Sequence, residues 1–430
     1  MRKISTTILC LFVALFLQAQ TTKKLCGQEM LMQHLETRYP GYKAAVDKAF
    51  TTAQNHKVNR SGGVYTIPVV FHIVWKDPKE NLDDSIIQSQ IDVLNEDYSR
   101  TNPDAGNTRP VFDSVAGDAM IQFQLKEVIR VQTTNTFSTG FSALPDSLIK
   151  ETAFGGDDAA DPARNLNIWI INIAPSFLGQ LLGYAYPPAA LANWPVGQEA
   201  PKLGWEGVVL DYRTIGRNNP NPLSIQGGGT QVVRGRTATH EIGHYLGLRH
   251  IWGDGGIFGP NDCMQSDGID DTPFANAQSN FDCNTTSNTC TGIETHYNAD
   301  VPDMIENYMD YSAETCMNLF TRGQADLMRG VLENQRAELP VVNTSITTVK
   351  NAIEFSVFPN PSAGIFRLKV AGINDNTKIE VKNFLGETIL NTTAVNGTTT
   401  LDLREVPNGI YTVEVVASGN RAVKKIVLSK

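Results

Sequence analysis

His240-Glu241-Ile242-Gly243-His244-Tyr245-Leu246-Gly247-Leu248-Arg249-His250 is the stretch from which the rest of the chain can be read. On a helix, His240 and His244 stand one turn apart, so both imidazoles leave the same face and can hold one zinc ion. Glu241 follows the first ligand by one position, which leaves it beside the metal and free to take a proton from water there. A catalytic zinc takes three protein ligands and keeps one position open. Gly247 tolerates the left-handed backbone that ends a helix, so the chain can turn and return His250 as the third ligand. The chain has 7 histidines and three fall here in register, unlike a surface helix that merely carries imidazoles.

The run matches His-Glu-x-x-His-x-x-Gly-x-x-His at every defined position and resembles the metzincin clan of zinc metallopeptidases. The clan's methionine turn fits Asn307-Tyr308-Met309-Asp310-Tyr311, with Met309 as the turn residue. Three flanking stretches resemble the pappalysin family within that clan: Leu248-Arg249-His250-Ile251-Trp252-Gly253, Ser266-Asp267-Gly268-Ile269-Asp270-Asp271-Thr272-Pro273, and the Met309 turn followed by Cys316-Met317. The resemblance implies a mixed α/β (α+β) metzincin catalytic domain and endopeptidase activity on proteins and peptides. In it, His240, His244 and His250 are zinc ligands and Glu241 is the general base. Tyr311 corresponds to the tyrosine with which several metzincins touch the metal or the oxyanion, or is simply a packed turn residue. An acid on the floor of the pocket beyond the scissile bond would favour Arg or Lys there by charge pairing, a role for which Glu314 and Asp310 compete. Asp267, Asp270, Asp271 and Thr272 offer the hard oxygens that calcium prefers, and pappalysins bind calcium hereabouts.

A net charge of -9 and a pI near 5.4 argue against a nucleic-acid or anionic-membrane partner. At 430 residues the chain calls for two folded units plus processing segments. Met1-Arg2-Lys3, an apolar run over 8–17 and Gln18-Ala19-Gln20 read as a signal peptide over 1–20, too short for a transmembrane anchor. Export to an oxidising compartment makes disulfides durable. Cys263, Cys283, Cys290 and Cys316 therefore form two bridges, for which sequence alone allows three connectivities. The pappalysin resemblance implies Cys263 with Cys290 and Cys283 with Cys316.

Cys26 has no partner. An unpaired cysteine ahead of a zinc site can bind the metal as thiolate and take the place of the catalytic water, giving a latent zymogen. Members of the metzincin clan use such a cysteine switch; an incidental or dimer-forming thiol is the alternative. The pro-segment is expected over 21–60, with the flexible, basic Asn59-Arg60-Ser61-Gly62-Gly63 as activation site. Pappalysin-like enzymes favour arginine just after the scissile bond, which implies self-cleavage between Asn59 and Arg60.

The catalytic unit is expected over 61–340. Residues 64–75, 120–129, 166–173, 181–188 and 208–212 read as strands; the metzincin resemblance implies an edge strand near the zinc that pairs with extended substrate, and 181–186 is the candidate for it. His72, alone within a strand, is given no metal role. Asp84 or Ser85 caps a helix carrying Ile87, Ile91, Leu94 and Tyr98, Gly227-Gly228-Gly229 forms a loop, and 321–339 is an amphipathic helix. A linker over 341–352 leads to short alternating strands over 353–430, a small all-β sandwich. Its Phe358-Pro359-Asn360-Pro361, Leu385-Gly386, Pro407-Asn408-Gly409-Ile410-Tyr411 and Lys424-Lys425 resemble the C-terminal sorting domain of the type IX secretion system of Bacteroidetes. That likeness implies passage through the periplasm, the type IX machinery as partner, and release or attachment at the outer cell surface.

Overall fold

The computed structural model describes residues 26–58, 60, 63–139, 144–175, 179–191, 200–225, 229–253, 263, 265–343, 355–370, 377–383, 386–394, 398–417 and 420–430. The expected signal peptide, Asn59, Ser61 and Gly62 of the activation site, Gly227 and Gly228, Leu385 and residues 344–352 of the linker lie outside them. The chain divides into two units, Met1–Thr344 and Ser345–Lys430.

Two helices open the first unit, α1 (Gln28–Arg38) and α2 (Tyr42–Gln54). The second was not legible as a helix. Both pay their ordering entropy through tertiary burial, since Leu31, Leu35, Tyr42, Phe50 and Ala53 are all buried. Then come β1 (Val64–Trp75), α3 (Asp84–Tyr98), β2 (Ile121–Gln132), α4 (Asp146–Lys150), β3 (Leu166–Ile171), β4 (Gly183–Ala185) and β5 (Val208–Asp211). β1 lies parallel between β2 and β3, β5 follows parallel to β3, and β4 closes the row antiparallel to β5. The sheet is therefore mixed. Every residue of β3 and β5 is buried, which is why they read as unbroken apolar runs rather than alternating ones. Position N-cap of α3 is Asp83, one residue ahead of the expected cap, and its side chain makes no capping bond.

The active helix α5 (Arg236–Tyr245) packs on α3, where the Tyr98 hydroxyl donates to the Thr239 carbonyl at 3.0 Å. After it, α6 (Arg322–Leu332) starts from a Thr321/Gln324 capping box. It stops at Leu332 instead of running to 339, and the turns that follow carry buried Arg336 to the carbonyls of Tyr245 and Tyr186. β6 (Val341–Asn343) then pairs antiparallel with Val64–Thr66. The first three residues of the expected linker thus belong to the catalytic sheet.

The second unit has β7 (Phe355–Phe358), β8 (Ile365–Val370), β9 (Lys378–Lys382), β10 (Thr388–Thr393), β11 (Thr399–Asp402), β12 (Gly409–Ala417) and β13 (Asn420–Leu428). They form two antiparallel sheets, β7-β8-β11 and β10-β9-β12-β13. Alternation sets the inner faces: Phe366, Leu368 and Val370 of β8 are buried while Arg367 and Lys369 are exposed. Those three share a core with Ile379, Val381, Val413 and Ile426, as a β-sandwich requires.

Candidate metal centre and active site

Within α5, His240 and His244 point to one side, and their Nε2 atoms lie 3.1 Å apart. Gly247 adopts φ +93°, and the Leu248 N–H bonds back to the Gly243 carbonyl at 2.9 Å, so the chain reverses at the helix end. The reversal brings His250 Nε2 to 3.1 Å from His244 Nε2. His240 Nδ1 lies 2.7 Å from the Tyr308 carbonyl and His244 Nδ1 lies 2.8 Å from the Leu248 carbonyl. A carbonyl only accepts, so each Nδ1 carries the hydrogen and each Nε2 turns a lone pair inward. Facing lone pairs repel unless a cation sits between them. Nitrogens about 2.0–2.1 Å from a tetrahedral zinc would be roughly 3.3 Å from each other, so the donor set fits zinc. Burial, with His250 adding to it, pushes His240 down to about 3 and keeps the imidazole neutral, as a ligand must be. The Trp252 indole stacks on His250 at 4.4 Å.

Cys26 completes the cluster. Its sulfur and one nitrogen from each of His240, His244 and His250 all lie within 4.8 Å of one another, the one such grouping among the described residues. The thiol faces Glu241 Oε2 at 3.5 Å and hydrogen-bonds with Tyr311, and the Gln28 N–H donates to the sulfur at 3.4 Å. Cys26 is paired in parallel with Gly183 of β4, and the Gly27 N–H donates to the Gly183 carbonyl at 2.8 Å. Burial pushes the thiol up, and the Glu241 carboxylate adds to the effect. Glu241 is itself pushed up to about 8 by burial, opposed by its bond to Cys26.

Two glycines let these groups approach. A Cβ on Gly243 would meet Met309 Sδ at 2.5 Å, and one on Gly183 would meet Glu241 Cγ at 2.8 Å. Neither role was read from sequence, although a lone glycine inside an apolar strand run signals close approach. The Met309 turn is braced from α6, where Gln324 and Asn307 exchange side-chain hydrogen bonds at 2.9 and 3.1 Å. That brace was also missed.

A cavity beside Glu241 and His240 is walled by Leu182, Phe281, Asp310, Tyr311 and Glu314. Glu314 is engaged at the α5 N-terminus, accepting from the Thr237 N–H at 2.9 Å and the Thr237 hydroxyl at 2.8 Å. Asp310 Oδ1 accepts from the Ser279 N–H at 3.1 Å while Oδ2 has no hydrogen-bond partner among the described residues. Burial pushes the Asp310 carboxyl up to about 6.

Away from the cleft, Asp267 is buried, with Oδ1 accepting from the Ile269 N–H and the Thr272 hydroxyl. Asp267 Oδ2 and Asp271 Oδ1 lack partners among the described residues, and Asp270 is exposed. Cys263 is bonded to Cys290 and Cys283 to Cys316. His72 is held at both nitrogens, by Asp157 at 2.6 Å and Asn167 at 2.9 Å.

The family model described as pregnancy-associated plasma protein-A matches residues 223–333, which contain the whole histidine cluster. An extracellular metalloprotease of Pyricularia oryzae is 30% identical over 276 residues, 63% of this chain and 76% of that protein. Mature mirolysin of Tannerella forsythia, solved with a cleaved peptide, is 36% identical with a TM-score of 0.53, over 65% of this chain and 96% of that one. The chain belongs to the pappalysin family. A promirolysin mutant of the same organism covers more of this pappalysin, 74% of it and 97% of the mutant's own chain, at 33% identity and a TM-score of 0.59. The second unit matches the secretion system C-terminal sorting domain over residues 356–429. The peptidase is thus an extracellular zinc metalloprotease, secreted or attached to the outer cell surface. Among the described residues no helix is long and apolar enough to cross a membrane.

Proposed function

We propose that this pappalysin is made as a zymogen and, once the segment up to Asn59 is lost, cleaves peptide bonds that precede Arg or Lys. The observation that carries this reading is the shared cluster of Cys26, His240, His244 and His250. With three imidazoles as its protein ligands, a zinc ion would supply Lewis acidity toward the scissile carbonyl and its attacking water. In the latent form Cys26 would hold the remaining ligand position of that ion. Its departure opens that position and frees Glu241, which then takes the proton of the attacking water and returns it to the leaving amine. Tyr311, released from Cys26, donates its hydroxyl to the developing oxyanion.

The substrate lies along β4, where the Gly183 carbonyl that now accepts from Gly27 accepts from a peptide N–H instead. Preference for a basic residue is supported by Asp310, which lines the same cavity as Glu314 and has one carboxylate oxygen without a hydrogen-bond partner among the described residues. The first 20 residues act as signal peptide, and the type IX machinery receives the 353–430 unit. Calcium binds the 267–272 loop, supported by the unpartnered Asp267 and Asp271 oxygens and by burial that pushes Asp267 up to about 8 without a cation. The deciding experiment is N-terminal sequencing and metal analysis of the secreted protein together with cleavage of a peptide library. A mature N-terminus at Arg60, one zinc per chain and cuts before Arg or Lys are expected, and a library cut without regard to charge would remove the specificity assignment.

A further inference from the structure

Behind β4 lies a charged pair that the mechanism above does not use. Lys150 and Asp146, one turn apart on α4, have side chains 0% and 2% exposed. The ammonium stands 2.9 Å from Asp146 Oδ1 and donates to the Trp205 carbonyl at 2.7 Å. Rings surround the rest of it: the Tyr186, Trp169 and Tyr184 centroids lie 4.1, 5.0 and 5.4 Å from Nζ. Asp146 accepts in turn from the Tyr184 hydroxyl at 2.9 Å through Oδ1 and from the Tyr186 hydroxyl at 3.0 Å through Oδ2.

Tyr184 and Tyr186 are two residues apart and share one face of the strand, while Gly183 and Ala185 occupy the other. The pair therefore grips the rim strand from the side opposite Glu241. β4 has three residues and, among the described residues, one strand neighbour, β5, so ladder bonds alone fix it weakly. Burying two charges costs several kcal/mol in desolvation, and apolar replacement of such pairs is often neutral or stabilising. Stability alone does not account for an ion pair here, whereas fixing the position of a short edge strand does.

We propose that Asp146 and Lys150 are positioning residues for the substrate, setting through Tyr184 and Tyr186 the height at which the Gly183 carbonyl meets the bound peptide. The proposal rests on the reading of β4 as the strand that pairs with substrate. Its test is the D146N/K150M double variant of the full chain, activated and checked for zinc, since Asn keeps an acceptor oxygen for one tyrosine hydroxyl and offers an N–H to the other while both charges disappear. The expected result is a melting temperature equal to or above wild type, with KM for an extended peptide raised about tenfold and kcat within about twofold. KM within about twofold of wild type overturns it, as does a fall in melting temperature with kcat and KM impaired together. If the double variant does not fold, Y186F provides the same readout through the loss of one hydroxyl, with a smaller rise in KM expected and an unchanged KM overturning the proposal.

Peptides N-methylated singly at each residue flanking the scissile bond separate the two layers of the argument. If no methylation weakens binding to wild type, the reading of β4 itself fails. If one position weakens wild type while D146N/K150M loses as much at that position and binds the unmethylated peptide normally, only the positioning role fails.

Discussion

On one wall of the cleft, the groups that face the cluster come from one eleven-residue run and the Met309 turn beneath it. On the other wall, β4 contributes three residues, gripped from behind by α4 and paired in front with Cys26, which lies 157 positions before Gly183. The first wall is largely local: a helix, a left-handed glycine and the Leu248 carbonyl set the three imidazoles within eleven residues, and the Tyr308 carbonyl of the methionine turn is the one distant partner among these. The second is assembled by tertiary contact between distant segments. Chemistry is placed on the part that a short sequence can define, and the proposed control and substrate alignment on the part that the whole unit must build.

The strongest way to break that division is E241Q, which should cut peptide hydrolysis by about 10²–10⁴-fold while zinc content stays at one per chain. Loss of zinc along with activity would make Glu241 part of the metal-holding wall instead. Next in size is C26A. The uncleaved variant should exceed uncleaved wild type by at least about tenfold in peptide hydrolysis, and equal rates would deny the rim wall its part in latency. G183A sharpens the contact between the two walls, because the added methyl meets Glu241 Cγ. We expect kcat/KM to fall roughly 10- to 100-fold with the fold intact, measured after activation. The smallest expected effect lies outside both walls. Chelating calcium at fixed zinc should lower the melting temperature by about 5 °C, and D267N should abolish that shift. A shift that persists in D267N would move calcium to another site.

This contrast also explains what could be read in advance. The eleven-residue run disclosed the three imidazoles and their neighbouring carboxylate because helical periodicity and one glycine determine their geometry. Cysteine number and export disclosed that bridges exist. Sequence could not supply the partner atoms: that Glu314 is engaged by Thr237, that Gln324 braces Asn307, or that Lys150 lies buried under three rings. A buried lysine looks like any surface lysine in sequence, since its burial depends on aromatic residues 19 to 36 positions later. α2 was missed for a related reason: its helix is held by Phe50, which packs under the Arg249 guanidinium at 4.0 Å, a contact spanning most of the unit.

The pairing of Val341–Asn343 with Val64–Thr66 ties the last strand of the catalytic unit to residues just past the proposed activation site. A shortened protein that ends before Val341 would leave the beginning of β1 without that neighbour and expose its backbone groups to solvent or to another chain. A cut that separated the sorting tail from the catalytic unit would leave this strand in place only if it fell downstream of Asn343.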